Sequence, residues 1–252
     1  MLADGGGHFA FSVLLGLAVF ALFSFVWYPD ALFTLAGAGK LLILVVGIDV
    51  TLGPLLTLIV FNPIKKSLIW DLAVILMVQM GALGYGVWVM AQSRPVFLVG
   101  AVDRFELVSA NEIHPDELAK APREEWRELS WTGPVVVGVM PPEDAQERMA
   151  RSLEAAQGGP ATAQLPKSFV PLSDVSSTLL AHARPLSDYD QSQPEETAAL
   201  RRWASSGNRD ESALAVLPIK ARTGFGAVII ERSCGKPLIT AGFDGFAPDS
   251  EP

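Results

Sequence analysis

"LLILVVGIDVTLGPLLTLIVFNPIKK", residues 41–66, is long and apolar enough to cross a bilayer, which takes about 20 residues of helix. Yet it carries Asp49, Gly53 and Pro54. A carboxylate is costly inside lipid, and proline removes a rung of the helical hydrogen-bond ladder. Compensation has to come from elsewhere in the protein or from a partner.

Two further stretches have the same character, His8 to Tyr28 and Leu68 to Ala91. The first has no preceding basic residue and exceeds the ~7 to 15 apolar residues of a signal peptide. The expectation is a membrane protein with three transmembrane α-helices over residues 1–94, at 8–28, 41–61 and 68–91, followed by an α+β soluble periplasmic domain over residues 95–252. Asn62 and Pro63 end the second span, and the short connection to Ser67 makes the second and third spans an antiparallel hairpin. The Lys65 and Lys66 pair in that connection points to the cytoplasmic side. The chain is then a multi-pass inner-membrane protein with its C-terminal domain in the periplasm.

Within the hairpin, Asp49 and Gln79 each lie 12 residues from the connection, about 18 Å along their helices. They therefore share a depth at which a carboxyl and an amide can hydrogen-bond. Gly53, Ala82 and Gly86 allow close helix approach, while Asp71 sits roughly 6 Å into its helix, within reach of the lysines. Three readings stay open: an internal lock, a docking groove for another helix, and an ion pathway.

Charge divides the chain at the same boundary. Up to Arg94 four acids balance four bases, so the remainder carries the whole net charge of −8. A domain this acidic repels nucleic acid. Cys234 is the sole cysteine, so no intrachain disulfide forms.

After Arg94 and Pro95, "RPVFLVGAVDRFELVSA" (94–110) and "GPVVVGVM" (133–140) read as strands. "HPDELAKAPREEWREL" (114–129), "PPEDAQERMARSLEAAQGG" (141–159) and "QPEETAALRRWASSG" (193–207) read as helices, the first interrupted at Pro122. Residues 158–190, rich in Pro, Ser and Gly, read as a long irregular connection. A strand meander follows over 214–221, 226–232 and 237–241. His8, His114 and His182 have no metal-ligand spacing, and neither a nucleophile elbow nor a phosphate-cradling glycine loop is present. No catalytic residue, metal or cofactor is expected.

Asp49, Gly53, Pro54, Asn62, Pro63, Lys65, Lys66, Asp71, Gln79, Tyr85, Gly86, Arg94 and Pro95, with Asp103, Arg104 and Phe105 beyond them, lie in one continuous segment that resembles the type IV pilin accessory proteins, the TfpX/TfpZ family. The resemblance implies a non-enzymatic, chaperone-like inner-membrane protein that binds the major type IV pilin and assists pilus assembly or dynamics. Its expected partners are that pilin, the lipid bilayer and other pilus assembly components. Asp71 is the expected partner of the pilin amino terminus, and the domain after Arg94 is expected to meet the pilin head. The competing classes are a sensor or scaffold of another envelope complex, and a proton-linked transporter component.

Overall fold

The computed structural model describes residues 16–43, 68–142 and 144–246. Its centre is a seven-stranded mixed sheet of order β4-β3-β1-β2-β5-β6-β7. β1 (Pro95–Ala101) and β2 (Arg104–Ser109) form an antiparallel hairpin that is continued by parallel partners on both sides, β3 (Val135–Val139) next to β1 and β5 (Leu214–Ala221) next to β2. β4 (Phe169–Val170) closes one edge, and β6 (Gly224–Glu231) and β7 (Pro237–Ala241) complete an antiparallel meander at the other.

Period-2 alternation sends side chains of each strand to opposite faces. One face carries Leu98, Phe105, Leu107, Leu217, Ile219, Val228 and Ile230, which pack in a single core with Phe23, Trp27, Tyr28, Leu32 and Leu35 from the N-terminal segment. The other face carries two separate clusters, around Phe97, Trp126 and Phe169 at one end and around Tyr189, Ile229 and Phe243 at the other. Among the described residues the four longer helices are α1 (Leu68–Ser93), α2 (Ala145–Ala156), α3 (Leu172–His182) and α4 (Pro194–Ser206).

The three-span membrane architecture is overturned, and with it the multi-pass inner-membrane location. Among the described residues no helix is long and apolar enough to cross a membrane. The physical reason is visible where the expected spans are described. The end of the first is a π-helix, Leu22–Trp27, followed by a turn at Pro29 and Asp30, and it buries Phe23 and Trp27 against the sheet. The third is α1, whose final turns bury Met90, Ala91 and Ser93 in protein. Hydropathy counts such residues as lipid-facing when they serve a protein core. The second expected span lies outside the described residues, apart from 41–43.

Residues 158–190 are also more regular than expected, because Pro171 starts a helix. In α3, Leu172, Val175 and Leu179 recur on one side and lie against β1 and β3. Gly100 and Gly138 make that approach possible. A Cβ at Gly138 would sit 2.5 Å from Val175 Cγ2, and one at Gly100 2.8 Å from Leu179 Cδ1. The helix expected over 114–129 shrinks to one turn at Pro115–Leu118 and a 3-10 turn at Glu124–Trp126, separated by Ala121 and Pro122.

The end of α1 is fixed to the sheet by Arg94, which is 3% exposed. Its guanidinium donates from Nη1 to the Ala91 carbonyl (2.6 Å), from Nε to the Ser130 carbonyl (2.8 Å) and from Nη2 to the Leu129 carbonyl (3.3 Å). The same group lies 3.8 Å over the Trp131 ring, and Trp131 in turn meets Trp27 at 5.9 Å. Tyr28 Oη donates to the Met90 carbonyl at 2.8 Å. Two carbonyls at the C-terminal end of α1 thus receive side-chain donors, and the negative end of the helix dipole faces a cation. Burial lowers the Arg94 pKa, and the neighbouring Tyr28 phenol opposes this. Below it, Thr223 in the β5–β6 turn donates to the Leu35 carbonyl at 2.6 Å and joins the N-terminal segment to the sheet.

Three outcomes follow from this packing. Gly138→Ala should destabilise the protein by about 1–3 kcal/mol through overpacking. Combining it with Val175→Ala should recover part of the loss, which urea denaturation of the two single variants and the double variant measures. Arg94→Ala should cost about 2–4 kcal/mol, because charged hydrogen bonds to carbonyls are lost together with the ring contact. Arg94→Lys should rescue only part of it, since an ammonium lacks the planar fork.

The third concerns alkaline pH. Burial raises the Tyr189 phenol to about 12 and holds the Tyr28 phenol well above its usual range, with nearby arginines opposing both shifts. Each phenol binds its proton more tightly folded than unfolded, so its contribution is complete below the unfolded pKa of about 10. That contribution is lost as pH rises through the folded values. Denaturation midpoints should therefore fall from about pH 10 upward, and Tyr189→Phe should flatten part of that decline. The variant also gives up a hydrogen bond to the Gly245 carbonyl (2.8 Å).

Candidate partner-binding surface

α1 presents two unlike sides. Gln79, Ala82, Leu83, Gly86, Val87 and Met90 are half-buried or buried. On the opposite side Trp70 is 76% exposed, Met77 73%, Tyr85 67% and Trp88 55%, with the Tyr85 and Trp88 rings 5.8 Å apart. Large apolar side chains in a continuous exposed row mark an interaction surface more often than a solvated one. No charged residue occurs from Leu72 to Ser93. The Arg94 clamp holds the C-terminal end of this row against the sheet.

Of the residues singled out in the sequence, Asp49, Gly53, Pro54, Asn62, Pro63, Lys65 and Lys66 lie outside the described residues. Asp71 falls within α1. Gln79, Tyr85 and Gly86 share that helix but not one side of it, Tyr85 facing outward and Gly86 being buried. Arg94 and Pro95 are buried at the junction. Asp103 and Arg104 are separated from them by the length of β1, about 23 Å at 3.3 Å per residue. They form an ion pair (3.0 Å) at the tip of the β1–β2 hairpin. There Val102 takes φ 44, a strained value for a β-branched residue. Phe105 is fully buried and belongs to the core. The segment carrying the resemblance therefore holds an exposed helix row, a buried clamp, a hairpin tip and a core residue.

Trp131 was not singled out. It lies in a loop with nothing around it in sequence to distinguish it, and its role comes only from Arg94 and Trp27 meeting it in space.

A concavity lies beside α2, lined by Glu117, Glu147, Arg151, Glu154, Leu165 and Lys167. Three of its charges are paired, Arg151 with Glu147 (2.6 Å) and Glu117 with the neighbouring Lys120 (2.6 Å). The Lys120 hydrogen bond holds the Glu117 carboxyl below its ordinary pKa. A carboxylate kept ionised in this way is poorly suited to giving up a proton near neutral pH. Among the described residues no group of three His, Cys, Asp or Glu side chains is placed to hold a metal ion.

No protein-family model matches the chain, and no solved structure does. Curated relatives do. The chain is 36% identical over 183 residues to the fimbrial assembly protein of serogroup E1 of Dichelobacter nodosus, covering 72% of this chain and 70% of the relative. It has the same identity and coverage with the serogroup I protein. With the protein of serogroups C1 and C2 it is 39% identical over 118 residues, 46% of this chain and 90% of the relative. By this identity and coverage, the chain belongs to the fimbrial assembly protein family.

Proposed function

We propose that the protein is a non-enzymatic assembly factor for type IV fimbriae that binds the major pilin, with the exposed row of α1 receiving the hydrophobic helix of that subunit. The observation that carries this reading is the row itself: Trp70, Met77, Tyr85 and Trp88 stand in solvent on a helix whose other side is held by the protein. The relatives' shared role in fimbrial assembly supplies the process, and the uncharged stretch from Leu72 to Ser93 suits an apolar partner. Aromatic anchors of this kind dominate the energetics of many interfaces. The hairpin tip at Asp103 and Arg104 is left for the globular part of the same subunit.

Co-purification of the full chain with the pilin of its own host tests this. The wild-type protein should retain the pilin. The double variant Trp70→Ala, Trp88→Ala should retain about 30-fold less, the equivalent of ~2 kcal/mol for loss of interfacial anchors. Its thermal unfolding should match wild type, because both side chains are more than half exposed. Undiminished retention by the double variant would overturn the assignment of this row to the pilin.

A further inference from the structure

The concavity beside α2 is charged, unlike the α1 row, and three separate pieces of chain enclose it. α2 supplies Glu147, Arg151 and Glu154, the one-turn helix Pro115–Leu118 supplies Glu117, and the connection after Pro160 supplies Leu165 and Lys167. The three α2 residues are spaced four and three apart, so one side of that helix forms a wall. The cavity volume, about 340 Å³, lies at the lower end of the ~300–1,000 Å³ typical of small-molecule sites. α2 itself buries none of its 12 residues. In sequence it is bracketed by Pro141 and Pro142 before it and by Gly158 and Gly159 after it, with Gly158 at φ 90. A helix with so little buried contact moves at small cost, as ligand-binding elements commonly do.

The charges of the cavity are unevenly satisfied. Arg151 is taken by Glu147 (2.6 Å), and Glu117 Oε1 accepts from Lys120 (2.6 Å). Glu117 Oε2 is shut off from solvent and has no hydrogen-bond partner among the described residues. Such an oxygen is costly to keep without a donor. The Glu154 carboxylate and the Lys167 ammonium make no hydrogen bond among the described residues either, and Lys167 acts on Glu117 through its field alone. We infer that this cavity receives one arginine side chain of a partner polypeptide, its guanidinium donating to Glu117 Oε2 and to Glu154, its main-chain carbonyl accepting from Lys167, and α2 shifting to admit it. Three features select that occupant. Carboxylates outnumber cations in the wall three to two, and one of the cations is already paired, so a phosphate or a carboxylate would be repelled. Leu165, Ala150 and Pro160 give an apolar bed for a methylene stem, which a compact cation lacks. A guanidinium carries five donors in a planar fork and is weakly hydrated, so it can serve two carboxylates at once where an ammonium is a point charge. The net charge of −8 draws basic groups toward this chain. The inference stands apart from the reading of α1.

The full chain is titrated with acetyl-Ala-Arg-Ala-amide, with the citrulline peptide of the same shape and no charge, and with spermidine, binding being read from saturation-transfer NMR of each small molecule. The arginine peptide should bind, and the citrulline peptide at least about tenfold more weakly, as loss of charge-assisted hydrogen bonds requires. Glu117→Gln should weaken the arginine peptide about tenfold. Glu154→Gln should weaken it about threefold, because that carboxylate is exposed. The exposed position also keeps the test sound if Glu117→Gln folds poorly. Equal binding of the arginine and citrulline peptides would overturn the proposal, as would no binding of the arginine peptide at concentrations up to about 10 mM or undiminished binding by both variants. Spermidine binding at least as tightly as the peptide, and weakened by the same substitutions, would overturn it by making the occupant a free polyamine.

Discussion

A buried guanidinium with carbonyls and a tryptophan ring for partners holds this structure together. Arg94 stands at the point where α1 ends and the sheet begins, and it grips both: the Ala91 carbonyl on the helix, the Leu129 and Ser130 carbonyls on a loop 35 residues further on, and the Trp131 face. A helix end leaves carbonyls without intrahelical partners, and burying them unsatisfied would be costly. Arg94 and Tyr28 meet that need at Ala91 and Met90. The arginine keeps its charge because a guanidinium is not deprotonated in proteins, and the negative end of the helix dipole and the ring face both suit that cation. The stacking continues through Trp27 to Phe23 (5.3 Å), so the N-terminal segment is tied to the same point.

The sheet gives this clamp a rigid base. β1 leaves Arg94 directly and is flanked on both sides, by β2 and β3, so the helix end is anchored near the middle of seven strands and away from an edge. Glycines at positions 100 and 138 let α3 settle close to β1 and β3, while the N-terminal segment covers the β5–β6 end of the same face through Leu35 and Gly37. A residue at position 37 with a side chain would face both a positive φ of 72° and Thr223 Cγ2 at 2.7 Å, so glycine is required there on two counts. The apolar segment before α1 and the sheet after it thereby share one core.

Much of the sheet was legible because its strands carry their own signal. Leu214–Ala221 and Pro237–Ala241 fall where alternation and turn residues put them, and Gly224–Glu231 begins two residues earlier than expected because Gly224, Phe225 and Gly226 pair with Ala221, Lys220 and Ile219. α3 was missed because proline and serine around it imitate a loop; Leu172, Val175 and Leu179 were the signal, and only their burial gives it weight. The membrane reading went wrong for a related reason. Apolar length does not say what covers a residue, and Phe23, Trp27, Met90 and Ala91 are covered by this protein's own strands and loops. At the candidate site, the junction at Arg94 and Pro95 was readable, whereas Trp131 was not, because its partners are far away in sequence. Asp103 and Arg104, close to Arg94 in sequence, end up at the opposite end of β1.

The exposed row on α1 is the feature that stability alone does not explain. Each large apolar side chain left in water forgoes roughly 1.5–3 kcal/mol of burial, and the same helix buries its other side without difficulty. A fold free to minimise that exposure would carry polar residues at Trp70, Met77 and Trp88, as α2 does at Gln146, Glu147, Arg148, Arg151 and Glu154, with Met149 and Leu153 as its large exposed apolar residues. On the proposed function the exposure has a use that a tight internal contact would defeat. An assembly factor has to take hold of a subunit and then give it up. An uncharged row suits both, because its binding is carried by a few aromatic and thioether side chains without buried ion pairs, so lifetime depends on how well the partner fits and falls quickly when the fit is lost. The clamp at Arg94 matters here in a second way. With the helix end fixed, the row is presented in one orientation, and the ordering cost that a swinging helix would add to every encounter is already met by the fold.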